Sequence, residues 1–113
     1  MTTFTEGRHA AEFIMSEANG NRSRESATVA SGQDLEAGEV VMLNGSSKLV
    51  AYDGATDSVA VGVIIYKTGA LTADASFAYI ARDAELNVNL ITYPTGDIAA
   101  VRADLKSLGI ILR

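Results

Sequence analysis

The chain has 113 residues, enough for one domain with a real core. Fourteen Asp and Glu against nine Lys and Arg give a net charge of −5, and residues 30–100 hold nine acids against Lys48, Lys67 and Arg82, a balance that repels nucleic-acid backbones. The absence of cysteine excludes disulfides and thiolate chemistry and fits a reducing compartment. The longest uncharged run, residues 86–96, is far too short for a membrane span. The opening TTFTEGRHAAEF lacks a basic start followed by an apolar stretch, so neither a signal peptide nor a transmembrane helix is expected.

Residues 1–30 read as an extended N-terminal arm, because the polar stretch NGNRSRES (19–26) separates a short apolar patch, Phe13, Ile14 and Met15, from the body. The patch also fits helical spacing through Ala11, Ile14, Met15 and Ala18, and so short a run leaves both readings open. Asn19-Gly20 favours a tight turn.

Residues 31–113 read as the β-rich domain. GQDLEAGEVVML (32–43), a turn at Asn44-Gly45 and KLVAYD (48–53) predict a β-hairpin. SVAVGVIIY (58–66) predicts a central strand covered on both faces, since Val59, Val61, Val63 and Ile65 alternate with Ala60, Gly62, Ile64 and Tyr66. Gly62 inside it marks a bulge or a close backbone approach. FAYIAR (77–82) predicts another strand, and so does 86–93, where Leu86, Val88 and Leu90 alternate with Asn87 and Asn89. Pro94, the only proline, ends it, with a trans Tyr93-Pro94 bond as the better expectation. Thr95 as cap, Asp97 in the first turn, the stripe Ile98, Val101, Leu105 and Leu108, then Lys106 and Gly109 predict a C-terminal helix. Residues 110–112 then add a short strand. The expected class is mostly β (α+β), one domain with one C-terminal helix.

No constellation for catalysis emerges. The single histidine, His9, has no cysteine or second histidine with which to hold a transition metal, and no serine stands in a nucleophile motif. Asp34/Glu36 and Asp83/Glu85 read as solvated turn acids without the further carboxylates of a calcium loop. The run Arg22-Ser23-Arg24-Glu25 reads as a solvated turn, or as a grip for an acidic partner. No phosphate-binding glycine pattern occurs, so no cofactor or metal is expected. The residues alone lead to a binding or structural module and not to an enzyme.

The stretch KLVAYDGATDSVAVGVI (48–64) closely resembles the same region of the bacteriophage lambda-type head decoration proteins. TEGRHAAEFIMSEANGNRSRES (5–26), LEAGEVV (35–41), ARDAELN (81–87) and LKSLGIILR (105–113) are similar to members from tailed phages and prophages, and together these segments cover nearly the whole chain. The resemblance implies a β-clip-like fold and a homotrimer. It also implies a place on the outer surface of the virion head, where trimers bind the major capsid protein at threefold and quasi-threefold positions of the expanded shell. Synthesis would be in the bacterial host cytoplasm.

On that reading Thr3, Phe4 and Thr5 favour an extended segment that adds a strand to a capsid sheet edge. Phe4 and Phe13 would be apolar anchors, and Arg8 would meet a capsid carboxylate. For Phe13, coverage of the domain's own core is an equal alternative. Leu86, Val88, Ile110, Ile111 and Leu112 are the candidates for trimer contacts, although the core has a claim on each. The rival classes are a dUTPase-type trimeric enzyme, a small carbohydrate- or peptide-binding clip domain, and another virion part such as a tail accessory protein. The tail LGIILR is neither flexible nor phosphate-binding, which argues against the first. The second would need exposed aromatics, and three of the four tyrosines fall in apolar strands.

Overall fold

The computed structural model describes residues 11–18, 22–54, 58–94 and 98–113. Its strands in chain order are β1 (Ile14–Glu17), β2 (Arg24–Val29), β3 (Asp34–Leu35), β4 (Val40–Leu43), β5 (Leu49–Ala51), β6 (Gly62–Ile64), β7 (Gly69–Ala70), β8 (Ala75–Ile80), β9 (Ala84–Leu86) and β10 (Ile110–Leu112). A 3-10 helix (Val88–Leu90) follows β9, and α1 (Ile98–Lys106) precedes β10. The fold is mostly β, as the sequence predicts, and it has two main parts. Strands β2, β5, β4, β6 and β8 close a small barrel, while β1, β9 and β10 form a three-stranded sheet with β9 in the middle.

The predicted hairpin forms as β4 and β5, antiparallel, with Val41 opposite Ala51 and Leu43 opposite Leu49. Its turn is organised by Asn44, whose Oδ1 accepts from the N–H groups of Ser46 (2.8 Å) and Lys48 (3.0 Å). An Asn side chain can template a turn in this way because it substitutes for a backbone acceptor.

The expected central strand is shorter than residues 58–66. Only Gly62–Ile64 pairs regularly, with β4 on one side and β8 on the other. Gly62 permits that position, since a Cβ there would lie 2.2 Å from the Ile80 carbonyl oxygen and 2.6 Å from Tyr79 Cδ2. Close approach of another backbone is therefore what the glycine is for. Residues 60 and 62–65 are buried, but Val59 is 58% exposed and Tyr66 45%, so the run is not covered over its whole length.

The strand expected over 86–93 stops at Leu86. Asn87 accepts from Asn89 N through its side chain and turns the chain into the 3-10 helix. The alternation of asparagines that suggested a wet sheet face is a local capping pattern. The Tyr93–Pro94 bond is trans, no cis bond being present among the described residues.

From residue 11 onward the segment read as an arm is woven into the domain. The helical alternative does not form: residues 14–17 make β1, antiparallel to β9, and β2 runs six residues along β8, from Arg24 opposite Ile80 to Val29 opposite Ala75. At the other end α1 buries Val101 and Leu105, while Leu108 of the expected stripe stays 36% exposed. Gly109 (φ +81°) ends the helical turn and lets the chain reverse into β10, parallel to β9. The expected cap Thr95 and the first-turn Asp97 lie outside the described residues.

Two apolar clusters result. The barrel encloses Val29, Leu35, Val41, Leu49 and Ile64. The larger cluster lies between the barrel, the three-stranded sheet and α1, and includes Phe13, Val63, Ile80, Leu86, Val101, Leu105, Ile110 and Leu112. At ~1.5–3 kcal/mol for each large side chain removed from water, these clusters supply the main favourable term in folding.

Candidate interaction surface

The chain enters the domain through Phe13, whose ring is fully buried in the larger cluster. Its carbonyl accepts from Asn87 N at 2.7 Å, tying residue 13 to the end of β9. Four residues on, Glu17 receives Arg24 Nη2 at 2.8 Å and Arg24 Nε at 3.2 Å on one oxygen, and Ser23 Oγ at 2.5 Å on the other. Ser23 is completely buried, and its carbonyl accepts from Ala81 N at 2.8 Å. The Arg24 guanidinium, hydrogen-bonded to Glu17, holds this carboxyl below the usual range.

This clamp fastens β1 to the start of β2, so the three-stranded sheet is attached to the barrel by charge as well as by packing. The run 22–25 thus does grip a carboxylate, but Arg24 takes one from its own chain. An acid and a base seven residues apart on either side of Asn19-Gly20 are the signal for such a contact. The Asn-Gly pair itself lies outside the described residues.

One face of the three-stranded sheet lies on the core through Ala84, Leu86, Ile110 and Leu112. The other face is open. Across it run Ser16, Glu85 and Ile111 in register, with Met15 displaced beside Ser16 by a bulge. Met15 is 56% exposed and Ile111 37%, and Arg113 Nε pairs with Glu85 Oε2 at 3.1 Å between them.

The barrel presents a different surface. Glu39 lies half-buried where β4 meets residue 92, beside a crevice lined by Val40, Tyr52, Thr92, Tyr93 and Pro94. Burial pushes its carboxyl up, and the charges of Glu36 and Asp34 add to the effect.

The site residues expected from sequence separate into three groups. Thr3, Phe4, Thr5 and Arg8 lie outside the described residues, as does His9. Phe13 is an interior residue of the domain and offers no exposed apolar anchor there. Of the five residues considered for trimer contacts, Leu86, Ile110 and Leu112 are buried in the monomer's own core and Val88 packs against it. Ile111 alone presents an exposed side chain. Among the described residues no group of three His, Cys, Asp or Glu side chains is placed to hold a metal ion, and no helix is long and apolar enough to cross a membrane.

A small acidic β domain, whose polar clusters serve its own folding and whose open sheet face carries exposed hydrophobes, is a structural or binding module. The family model for the bacteriophage lambda head decoration protein D matches residues 3–110, and the chain belongs to that family. No curated protein matches the chain. Membership makes it a phage head decoration protein, a component of the virion head that associates with the capsid; the family is structural, not enzymatic.

Proposed function

We propose that this protein binds as a trimer to the outside of the expanded phage head, at threefold and quasi-threefold positions, and stabilises the shell against the pressure of packaged DNA. The observation that carries the reading is the extent of the family match, which begins at residue 3 and so takes in the stretch before the described domain as well as the domain itself. Thr3, Phe4 and Thr5 add a strand to a capsid sheet edge, with Phe4 as apolar anchor and Arg8 meeting a capsid carboxylate.

The fold gives that attachment a mechanical root. Phe13 is fully buried, and Glu17 is clamped to Arg24, so a pull on residues 3–8 enters the domain through a packed ring and an ion pair. Stabilisation is then linkage: a ligand that binds only the expanded lattice lowers its free energy, by about 2.7 kcal/mol per site at a concentration one hundred times Kd. Three attachments on one trimer act at high effective concentration and multiply that affinity.

Co-sedimentation with expanded, undecorated heads of the same phage tests the reading. Saturation near one copy per capsid subunit is expected, and deletion of residues 2–10 should abolish binding. Heads that take up no protein would remove the decoration role, and a deletion that still binds would remove the arm's part in it.

A further inference from the structure

The C-terminal segment reverses the charge balance of the chain. Residues 98–113 hold three of its nine bases, Arg102, Lys106 and Arg113, and one of its fourteen acids. That acid, Asp104, is engaged elsewhere, its Oδ2 accepting from Ala60 N at 3.0 Å, and Arg113 is paired with Glu85. Arg102 and Lys106 lie one helical turn apart on α1, and neither has a carboxylate partner among the described residues. Together with Ile110, Ile111 and Leu112 they line a groove of about 290 Å3 where α1 meets β10. Arg102 is held over this groove, since its Nη1 donates to Leu112 O at 2.8 Å. That bond goes to a neutral carbonyl, so the charge stays uncompensated and the Nε and Nη2 side of the guanidinium remains available to a carboxylate. Arg24 uses the same two nitrogens on Glu17. The groove therefore combines a cationic rim with an apolar surface, on which Ile111 is 37% exposed.

The groove also stands near the place where the chain enters the domain. Asn87 N donates to Phe13 O at 2.7 Å and Val88 N to Arg113 O at 3.1 Å, so residues 13 and 113 flank the same end of β9, about 10 Å apart at two strand spacings. Phe13 follows Arg8 by five residues, a reach of at most ~18 Å. An arm seated on the shell through Thr3, Phe4, Thr5 and Arg8 thus keeps the β10 groove within about 30 Å of its anchor. We infer that the groove is a second docking site for the major capsid protein and takes an acidic segment of it, with a carboxylate between Arg102 and Lys106 and an apolar side chain on Ile111. The inference rests on the decoration reading above and adds a partner surface to it. Alone the groove binds weakly, because exposed ion pairs contribute little. On a trimer it acts three times beside three arms, which turns a small contribution into a measurable affinity.

The test is co-sedimentation of the full chain with expanded, undecorated heads of the same phage, read as binding isotherms at low and high salt. Lys106→Glu is the variant to use, since Lys106 is exposed and makes no bond among the described residues. It should weaken head binding roughly tenfold and flatten the salt dependence. Lys67→Glu, the same charge change outside the groove, should stay within about twofold of wild type. In wild-type decorated heads, carbodiimide coupling, which joins an amine to a carboxylate in contact with it, should link Lys106 to an Asp or Glu of the capsid protein, read by mass spectrometry. Wild-type chain that does not bind heads removes the decoration reading, and this inference with it. Wild-type chain that binds while Lys106→Glu binds equally well overturns the inference alone, because Arg102 and Lys106 then only guard the β10 edge against pairing. An equal loss in Lys67→Glu also overturns it, since net charge and not the groove would then set the affinity. Coupling of Lys106 only to another copy of this chain, or to no capsid carboxylate, overturns it whatever the variants do.

Discussion

The barrel cluster draws Val29, Leu35, Val41, Leu49 and Ile64 from the middle of the chain, whereas the larger cluster needs Phe13 from one end and Val101, Leu105, Ile110 and Leu112 from the other. Both are built of buried apolar side chains, yet they are assembled differently. The barrel is built on the local β4–β5 hairpin but is closed by the long-range pairing of β2 with β8, from Arg24 opposite Ile80 to Val29 opposite Ala75. The sheet beside it exists only when the two ends meet on β9, so its stability is tied to the segment that leads to the proposed capsid arm.

Phe13→Ala separates the two regions most sharply. Removing a fully buried phenyl ring should cost about 3–5 kcal/mol. The loss should fall on β1, β9 and β10, whose amides would lose hydrogen-exchange protection before those of β4 and β5. Leu49→Ala in the barrel should cost ~2–5 kcal/mol and lower the protection of both regions together. Equal protection losses in both variants would show that the clusters unfold as one unit.

Gly62→Ala tests the wall between them. Val63 belongs to the larger cluster and Ile64 to the barrel, and an added methyl at residue 62 meets the Ile80 carbonyl at 2.2 Å. Because the obstacle is backbone, β6 must shift away from β8, at a cost of about 3 kcal/mol in chemical denaturation. A cost well under 1 kcal/mol would mean that the sheet yields there without loss.

Glu17→Gln weakens the polar tie between the regions. The Arg24 bond that lowers the Glu17 carboxyl gives stability that is present above the unfolded-state value and lost as pH falls through the folded-state value. The variant should lose about 1 kcal/mol at neutral pH and show a shallower fall in stability on acidification. An unchanged acid limb in urea titrations would mean that the clamp contributes nothing.

What the sequence made legible follows the same division. Alternation in Val40, Val41 and Leu49 and the Asn44 turn lie close together along the chain, and the hairpin could be read from them directly. The C-terminal helix was visible because its stripe and the closing Gly109 recur within a few residues. The role of Phe13 was not, because an apolar residue between polar stretches looks the same whether it meets its own core or a partner. The 3-10 turn at Asn87 was also hidden, since a capping asparagine and a solvent-facing strand asparagine give the same period-two pattern. The outward face of β1, β9 and β10 depends on a parallel pairing between residues 84–86 and 110–112, which no local pattern encodes.

The smallest effect is expected at Glu39, the second polar seam between the regions. Its backbone neighbours thread between them, with Ile64 N donating to Glu39 O at 3.0 Å and Thr92 N to Gly38 O at 2.9 Å. The side chain accepts from Glu36 N at 3.1 Å, a bond that a glutamine oxygen can keep. Burial raises this carboxyl, so its contribution to stability is fully present below the unfolded-state value and is lost as pH rises through the folded-state value, opposite in sign to Glu17. Glu39→Gln should therefore raise stability at neutral pH by roughly 0.5 kcal/mol, and the gain should vanish near pH ~3, below the unfolded-state carboxylate value. Urea unfolding at the two pH values measures this directly. A variant less stable than wild type at neutral pH would show that the ionised Glu39 is held by attraction, and that the crevice beside Tyr52 and Tyr93 favours the charge.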